Sequence, residues 1–262
     1  MKNDHTLALD SFSRLLDIMD ELRDKCPWDR QQTWDSLRTL TIEETYELSD
    51  AILEDDPQGI GEELGDLMLH IVFYAKIGNE KGSFELHEVL DRINKKLMFR
   101  HPHIFGEVNV ANAREVEENW EKLKLEENQE KTVLGGIPKS LPALIKAYRI
   151  QDKARGIGFD WSDRESVWAK LEEEIEELKA EWSDQGDPSR IEQEFGDLFF
   201  SLVNLARHAG VNPENALERT NMKFIRRFNY LEQETLKKGL NLRKMSLAEM
   251  DQYWEEAKKL DH

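Results

Sequence analysis

The sequence has little cysteine, no long apolar run and fewer positive than negative charges. Its 262 residues include a single cysteine, which excludes a disulfide scaffold because one thiol has no partner within the chain. No run of 18 apolar residues is present, so we expect no membrane-spanning helix. The first ten residues, MKNDHTLALD, lack the apolar segment of a secretion signal. We therefore expect a cytoplasmic protein with no membrane partner.

Negative charge predominates, because 54 acidic residues outnumber 36 lysines and arginines and leave a net charge of −18. Such an excess of negative charge disfavours a protein that binds nucleic acid by neutralising many phosphates. It does not exclude a small anionic substrate, because divalent metal ions turn a group of carboxylates into an attractive site for phosphate. The question for the function is therefore whether the acidic residues are scattered over the surface or gathered into a binding site.

Apolar residues recur almost throughout at the spacing of helices, and no stretch alternates for long enough to predict a strand. The clearest example is the N-terminal series Phe12, Leu15, Leu16, Met19 and Leu22. Short breaks rich in glycine and proline separate the helical segments at 56–57, 78–82, 186–188 and 210–213. The pattern predicts an all-α fold of roughly ten helices.

The two halves of the chain resemble each other, which indicates a tandem duplication. Four features recur in the same order, at offsets between 127 and 134 residues. The matching features are 43–47 with 173–177, 63–66 with 194–197, 94–100 with 221–227, and Trp120 with Trp254. Two glycines and two prolines break any helix across 132–142. We predict an N-terminal repeat at 1–131, a linker at 132–142 and a C-terminal repeat at 143–262.

The second repeat contains two pairs of carboxylates with helical spacing. Glu174 and Glu177 lie three residues apart, as do Glu194 and Asp197 on the next helix. The short break between the two helices makes them antiparallel neighbours, so four carboxylates converge and repel one another unless cations sit among them. Hard oxygen donors suit Mg²⁺, with Mn²⁺ as a substitute. A di-iron site is disfavoured because it typically uses Glu-x-x-His.

An isolated Glu-Glu-x-x-Glu is more often a solvated helix face than a metal site. The second helix is more informative, because residues 198–205 are apolar nearly all round and predict a buried helix whose leading acids need partners. The first repeat has the same arrangement. Its corresponding carboxylates, predicted as a second metal site, are Glu44, Glu47, Glu63 and Asp66.

Cations accompany the carboxylates of the second repeat. Lys170 and Arg190 each lie one helical turn before an acid of the cluster, and Lys223 and Arg227 share a face of a later helix. This pattern favours an anion such as a phosphate chain, held across the metal. Trp254 is either a stacking surface for a base or an ordinary core residue.

These motifs resemble those of the MazG family across nearly the whole chain. Further matching segments are Cys26-Pro-Trp-Asp29, Arg100-His-Pro-His103, Gly158-Phe-Asp-Trp161 and Asn204-Leu-Ala-Arg-His208. The resemblance implies an all-α, Mg²⁺-dependent enzyme that hydrolyses nucleoside triphosphates to the monophosphate and pyrophosphate. It also implies a homodimer in which two-repeat chains assemble four-helix modules.

By position, the resemblance implies roles for individual residues of the second repeat. The implied metal ligands are Glu174, Glu177, Glu194 and Asp197. The implied nucleotide contacts are Lys170, Glu174, Arg190, Gln193, Asp197, Lys223, Arg227 and Trp254. Glu174, Lys223 and Arg227 are expected to act in catalysis, with the first glutamate of either pair as the general base that activates a water for attack on the α-phosphorus.

The first repeat has Leu40 where the second has Lys170, and Gly59 where the second has Arg190. We therefore expect the C-terminal repeat to be the catalytic one. No residue is assigned to read the base, so we expect broad specificity and a role in nucleotide-pool housekeeping or the stress response. The alternatives are a non-catalytic helical protein for dimerisation or regulation, and a hydrolase for another phosphorylated metabolite.

Overall fold

The computed structural model describes residues 5–112, 115–116, 119–120, 123, 132–182 and 186–260. The chain divides into two compact units, Met1–Leu123 and Lys124–His262. Within the described residues the regular structure is entirely helical, which confirms the predicted all-α class. None of the described helices combines the length and the apolar character needed to cross a bilayer.

The first unit is built on two long helices that pack side by side, α2 (Trp34–Leu53) and α3 (Pro57–Glu80). The other helices of this unit whose bounds are described are α1 (Thr6–Lys25), α4 (Leu86–Arg100) and the short α5 (Pro102–Phe105), and a 3-10 turn spans Asp29–Gln31. Helix α1 packs against α3. The buried core between these helices contains Met19, Leu37, Val72, Phe73 and Ile77.

The second unit repeats this plan with α7 (Arg164–Glu181) packed on α8 (Pro188–His208). Helix α6 (Ala143–Gly156) packs against α8, and α9 (Pro213–Lys237) packs against α10 (Leu247–Lys258). A 3-10 turn, Leu242–Lys244, joins the last two helices. The pair α7 and α8 therefore stands where α2 and α3 stand in the first unit.

Corresponding helices of the two units begin with the same capping chemistry. The side chains of Thr33 and Asp163 each accept a hydrogen bond from a serine amide three residues later, at the starts of α2 and α7. Asp56 and Asp187 cap α3 and α8, and each accepts a hydrogen bond from the backbone amide two residues later. In both helices proline is the first residue. This shared local chemistry supports the duplication inferred from the motifs.

Helix α8 is not buried all round in the single chain, so that prediction is wrong. Val203 is buried, but Phe199, Phe200 and Leu202 are exposed. The reason is that α6 and α7 cover only part of the helix surface.

The segment predicted as a linker, 132–142, lies within the second unit. The buried ammonium of Lys153 on α6 donates hydrogen bonds to the carbonyl oxygens of Val133, at 3.2 Å, and Gly135, at 2.7 Å. These contacts hold the segment against α6. The predicted domain boundary at 131 falls among residues outside the described part of the chain.

Candidate functional site

Three carboxylates gather between α7 and α8 in the second unit. One oxygen atom each from Glu174, Glu194 and Asp197 lies within 4.8 Å of the others. Glu174 projects from the middle of α7 and is only 5% exposed, whereas Asp197 on α8 is exposed. The caps at Asp163 and Asp187 set where the two helices begin, and so help to fix the register that brings these acids together. Three of the four predicted ligands therefore meet as the spacing predicts.

Lys170 joins this carboxylate group, as its position one turn before Glu174 predicts. Its ammonium lies 2.8 Å from Glu174 Oε1 and 2.8 Å from Glu173 Oε1. Hydrogen bonds to Glu173 and then to Glu174 raise the pKa of Lys170 above its ordinary value. The lysine thus stays charged and compensates part of the negative charge of the site.

Glu177 lies on the exposed side of α7, outside the group of three. Local desolvation, followed by repulsion from Glu174, raises the pKa of Glu177. Glu194 also contributes to this shift, so Glu177 lies within the electrostatic field of the site. Its predicted role as a metal ligand stays a prediction.

The first unit has an equivalent group formed by Glu44, Glu63 and Asp66, again with oxygen atoms within 4.8 Å of one another. Desolvation, followed by repulsion from Asp66 and Glu47, raises the pKa of both Glu44 and Glu63. The position that corresponds to Lys170 is Leu40, which packs against the core. This group therefore lacks the cation that its counterpart has at that position.

Both groups have the chemistry of a site for a hard divalent cation. Every donor is a carboxylate oxygen, the set that Mg²⁺ and Mn²⁺ prefer. In the first group Glu63 Oε2 is buried without a hydrogen-bond partner, and a coordinated cation would satisfy such an atom. The carboxylates present therefore fit the implied metal.

The predicted basic and aromatic partners form a second group on α9 and α10. The guanidinium carbon of Arg227 lies 5.7 Å from the centre of the Trp254 ring, and the ring of Phe224 packs on the same indole at 4.9 Å. Lys223 lies one turn before Arg227 and is half-buried. The first unit repeats this contact, with Arg100 lying 5.5 Å from the Trp120 ring. The two arginine–tryptophan pairs therefore occupy the matching positions that the sequence repeat predicts.

Arg190 pairs with Glu181, which is not one of the three grouped carboxylates, although its spacing suggested a place on their stripe. Its guanidinium lies 3.6 Å from Glu181 at the end of α7, and the side chain is 66% exposed. Gln193 is exposed on the same helix. A contact between either residue and a nucleotide stays a prediction.

One polar cluster was not predicted as such from the sequence. Asp160 accepts hydrogen bonds from both terminal nitrogens of Arg207, one of them at 2.9 Å, and from His208 Nε2 at 3.0 Å. Gly158, with a φ of +85°, turns the chain just before this aspartate. Two features of the sequence could have indicated this cluster. They are the adjacent Arg207 and His208 at the end of an apolar helix, and Asp160 shortly after a glycine that allows a turn.

Together, the fold and site define an all-helical tandem-repeat protein with an oxygen-only carboxylate cluster in each repeat. Residues 32–105 and 162–231 match the MazG nucleotide pyrophosphohydrolase domain. The chain therefore belongs to the MazG family.

Three relatives extend this likeness over nearly the whole chain. The nucleoside triphosphate pyrophosphohydrolase/pyrophosphatase MazG of Thermotoga maritima is 43% identical, covering 94% of this chain and 95% of that protein. The nucleoside triphosphate pyrophosphohydrolase of Escherichia coli K12 is 41% identical, covering 96% and 98%. YabN of Bacillus subtilis is 42% identical over 97% of this chain but only 53% of its own length.

Proposed function

We propose that this protein hydrolyses nucleoside triphosphates to the monophosphate and pyrophosphate in a Mg²⁺-dependent reaction. Membership of the MazG family and the names of the two relatives matched over nearly their full length support this activity. The observation that carries the proposal is the grouping of Glu174, Glu194 and Asp197 beside Lys170, because triphosphate chemistry needs both a cation site and fixed positive charge.

Glu174, Glu177, Glu194 and Asp197 would hold Mg²⁺, with Mn²⁺ as a substitute. When bound, such an ion neutralises phosphate oxygens and makes water more acidic. The carboxylate oxygens hold the ion, while Glu174 keeps Lys170 oriented through their 2.8 Å contact. The proposed metal dependence follows from charge, because the acids alone repel a triphosphate.

The proposed reaction is attack by water on the nucleotide, in which a carboxylate of the cluster and the residues of α9 and α10 take part. Attack by a water oxygen on the α-phosphorus breaks the bond to the bridging oxygen, and the released pyrophosphate takes the electron pair. Glu174 or Glu194 accepts the proton of the attacking water. Lys223 and Arg227 compensate the charge that grows on the leaving pyrophosphate. The Trp254 ring, already packed on Arg227, offers a flat surface to the base.

The second repeat is proposed as the catalytic one. Lys170 pairs with the buried Glu174, whereas Leu40 at the matching position of the first repeat packs in the core. The counterpart of Arg190 is Gly59, where an added Cβ would lie 2.7 Å from Asp56 Oδ2. The first repeat thus keeps the carboxylates of the cluster without these two cations.

The proposed homodimer is supported by an exposed apolar helix face in each unit. Leu64, Met68 and Ile71 line one exposed face of α3, and Phe199 and Leu202, the counterparts of Met68 and Ile71, are exposed on α8. Exposed apolar rows at matching positions of two repeats are typical of a face that another copy of the chain covers. Pairing two such helix pairs would complete four-helix modules.

Matched substitutions in the two repeats test the proposed activity. We expect Glu177→Gln to reduce pyrophosphate release by about a hundredfold, and Glu47→Gln, its counterpart, to change it less than about threefold. Release from four ribonucleotides and four deoxyribonucleotides is measured with Mg²⁺, with Mn²⁺ and with EDTA. Similar rates across this panel would support broad specificity and a pool-housekeeping role.

Three results would contradict this assignment. Loss of activity in Glu47→Gln with full activity in Glu177→Gln would place catalysis in the first repeat. No metal-dependent release from any nucleotide would favour the helical dimerisation protein. Release confined to a non-nucleotide phosphate ester or anhydride would favour a hydrolase for another metabolite.

A further inference from the structure

The second unit contains a cavity of about 390 Å³ that the proposed reaction does not use. Its walls come from α6, from α8, from residues 157–161 and from Val133 and Leu134 of the segment that Lys153 holds. The volume lies within the range typical of small-molecule sites. None of the carboxylates of the proposed active site lines it.

A difference between the two repeats accounts for the cavity. Asn204 on α8 corresponds to Phe73 on α3, at the offset of 131 residues that relates the two helices. Phe73 is 3% exposed and fills the core of the first unit, whereas Asn204 lines the cavity of the second. The second repeat thus has a small polar side chain where the same fold accepts a large apolar one.

Two polar side chains at the cavity wall each have one atom without a hydrogen-bond partner. Gln151 is 7% exposed, and its Nε2 donates to the Phe200 carbonyl oxygen at 2.8 Å while its Oε1 is left without a partner. The Nε2 contact fixes the amide orientation, because the flipped amide would place oxygen against oxygen. Arg207 Nε is likewise buried without a partner. An acceptor and a donor are therefore both left unsatisfied, which is costly in a folded protein.

The charges around the cavity favour a neutral ligand. Arg207 is already paired with Asp160 through both terminal nitrogens, so its positive charge is compensated. Asp160 itself lines the cavity and would repel a phosphate or carboxylate. Aromatic rings of Phe159, Trp161 and Phe200 supply flat apolar surface instead.

We propose that this cavity binds a neutral heteroaromatic molecule of the nucleobase class. Such a ring carries donors and acceptors on one edge, so it donates to Gln151 Oε1 and accepts from Arg207 Nε. Gln151 and Arg207 both line the cavity, and the ligand reaches their two buried atoms when these side chains shift. Phe159 and Trp161, which also line the cavity, are exposed, so the cavity is open to solvent on that side. The site is separate from the proposed catalytic centre, although α8 contributes to both.

Isothermal titration of the full chain with adenine, hypoxanthine, cytosine, uracil and thymine tests this proposal. The titrations contain EDTA, so the proposed metal-dependent nucleotide site does not contribute. We expect at least one base to bind once per chain. We expect Gln151→Met to weaken that binding by about tenfold, because it removes one hydrogen bond to the ligand while keeping the side-chain length.

Two further variants complete the design. Asn204→Phe installs the residue of the first repeat and should abolish binding by filling the cavity. Gln233→Met makes the same chemical change at an exposed position on α9 and should leave binding unchanged. Far-UV circular dichroism checks that each variant is folded, and the Gln151→Met result stands if Asn204→Phe does not fold.

Several outcomes would overturn the proposal. The first is the absence of binding by every base up to about 1 mM, and the second is equal affinity in the wild type and Gln151→Met. The third comes from a repeat titration with Mg²⁺ in place of EDTA, and it is binding that appears only in that series and is displaced by a nucleoside triphosphate. Loss of pyrophosphohydrolase activity would argue against the proposed function but not against this binding site, because the titration does not depend on turnover.

Discussion

The Asp160→Asn substitution should strongly destabilise the second unit, because it removes the only negative partner that the structure describes for a buried guanidinium. The Arg207 side chain is 7% exposed and donates twice to Asp160, which also accepts from His208. Breaking a buried ion pair from one side costs about 3–5 kcal/mol. The introduced amide would retain one acceptor oxygen, and Arg207 keeps a 2.7 Å hydrogen bond to Asn204. We therefore expect a loss near the lower limit, about 3 kcal/mol.

Urea unfolding followed by far-UV circular dichroism measures this loss, with Asp152→Asn as the matched control. Asp152 also pairs with two arginines, Arg149 and Arg155, but their side chains are 39% and 49% exposed. Solvent screens such pairs, so the control should lose less than about 1 kcal/mol. Equal losses in the two variants, or a loss below about 1 kcal/mol in Asp160→Asn, would refute this reasoning.

The same pair predicts a pH dependence. Burial acts to raise the pKa of Asp160, but the hydrogen bonds from Arg207 and His208 outweigh it and leave the pKa below the ordinary 3.8. The unfolded chain therefore binds this proton more readily than the folded chain. The stability that the ionised aspartate contributes is present above the unfolded pKa and is lost as the pH falls through the folded pKa. The difference between the wild type and Asp160→Asn should shrink in that acidic range.

Three further predictions concern the sites and the first unit. Lys170→Leu, which copies the first repeat, should lower kcat/KM for nucleoside triphosphates by about tenfold or more in steady-state assays, and an unchanged value would remove the lysine from the site. Trp254→Ala should raise KM by about tenfold through lost stacking, whereas the matched Trp120→Ala should leave it unchanged. The hydrogen bond from Arg23 holds the pKa of Glu80 below its ordinary value, so Glu80→Gln should cost about 1 kcal/mol at neutral pH. That cost should vanish as the pH falls through the folded pKa, and a cost independent of pH would argue against the ion pair.

Much of the fold and part of the site followed from local chemistry. Helix starts could be predicted because capping aspartates and first-turn prolines act within a few residues of themselves, as at Asp56 and Asp187. The Lys170–Glu174 contact could be predicted because residues four apart lie on one helix face. The matched Arg-Trp contacts of the two units followed from the repeat, because duplicated sequences pack in the same way.

The remaining features depended on neighbours that local spacing does not specify. Arg190 has the spacing of a site residue, but its long side chain reaches Glu181, which only the packing of α7 on α8 brings near. The exposed face of α8 follows from which helices cover it rather than from its own apolar residues.

The sequence by itself determined the helical class, the duplication and the residue types of the carboxylate clusters, because each rests on periodicity or short-range spacing. Only the tertiary structure decided that Glu177 lies outside the group of three, and that Asn204 opens a cavity where Phe73 fills a core. Both depend on distances between side chains from different helices, and those distances follow from how whole helices pack.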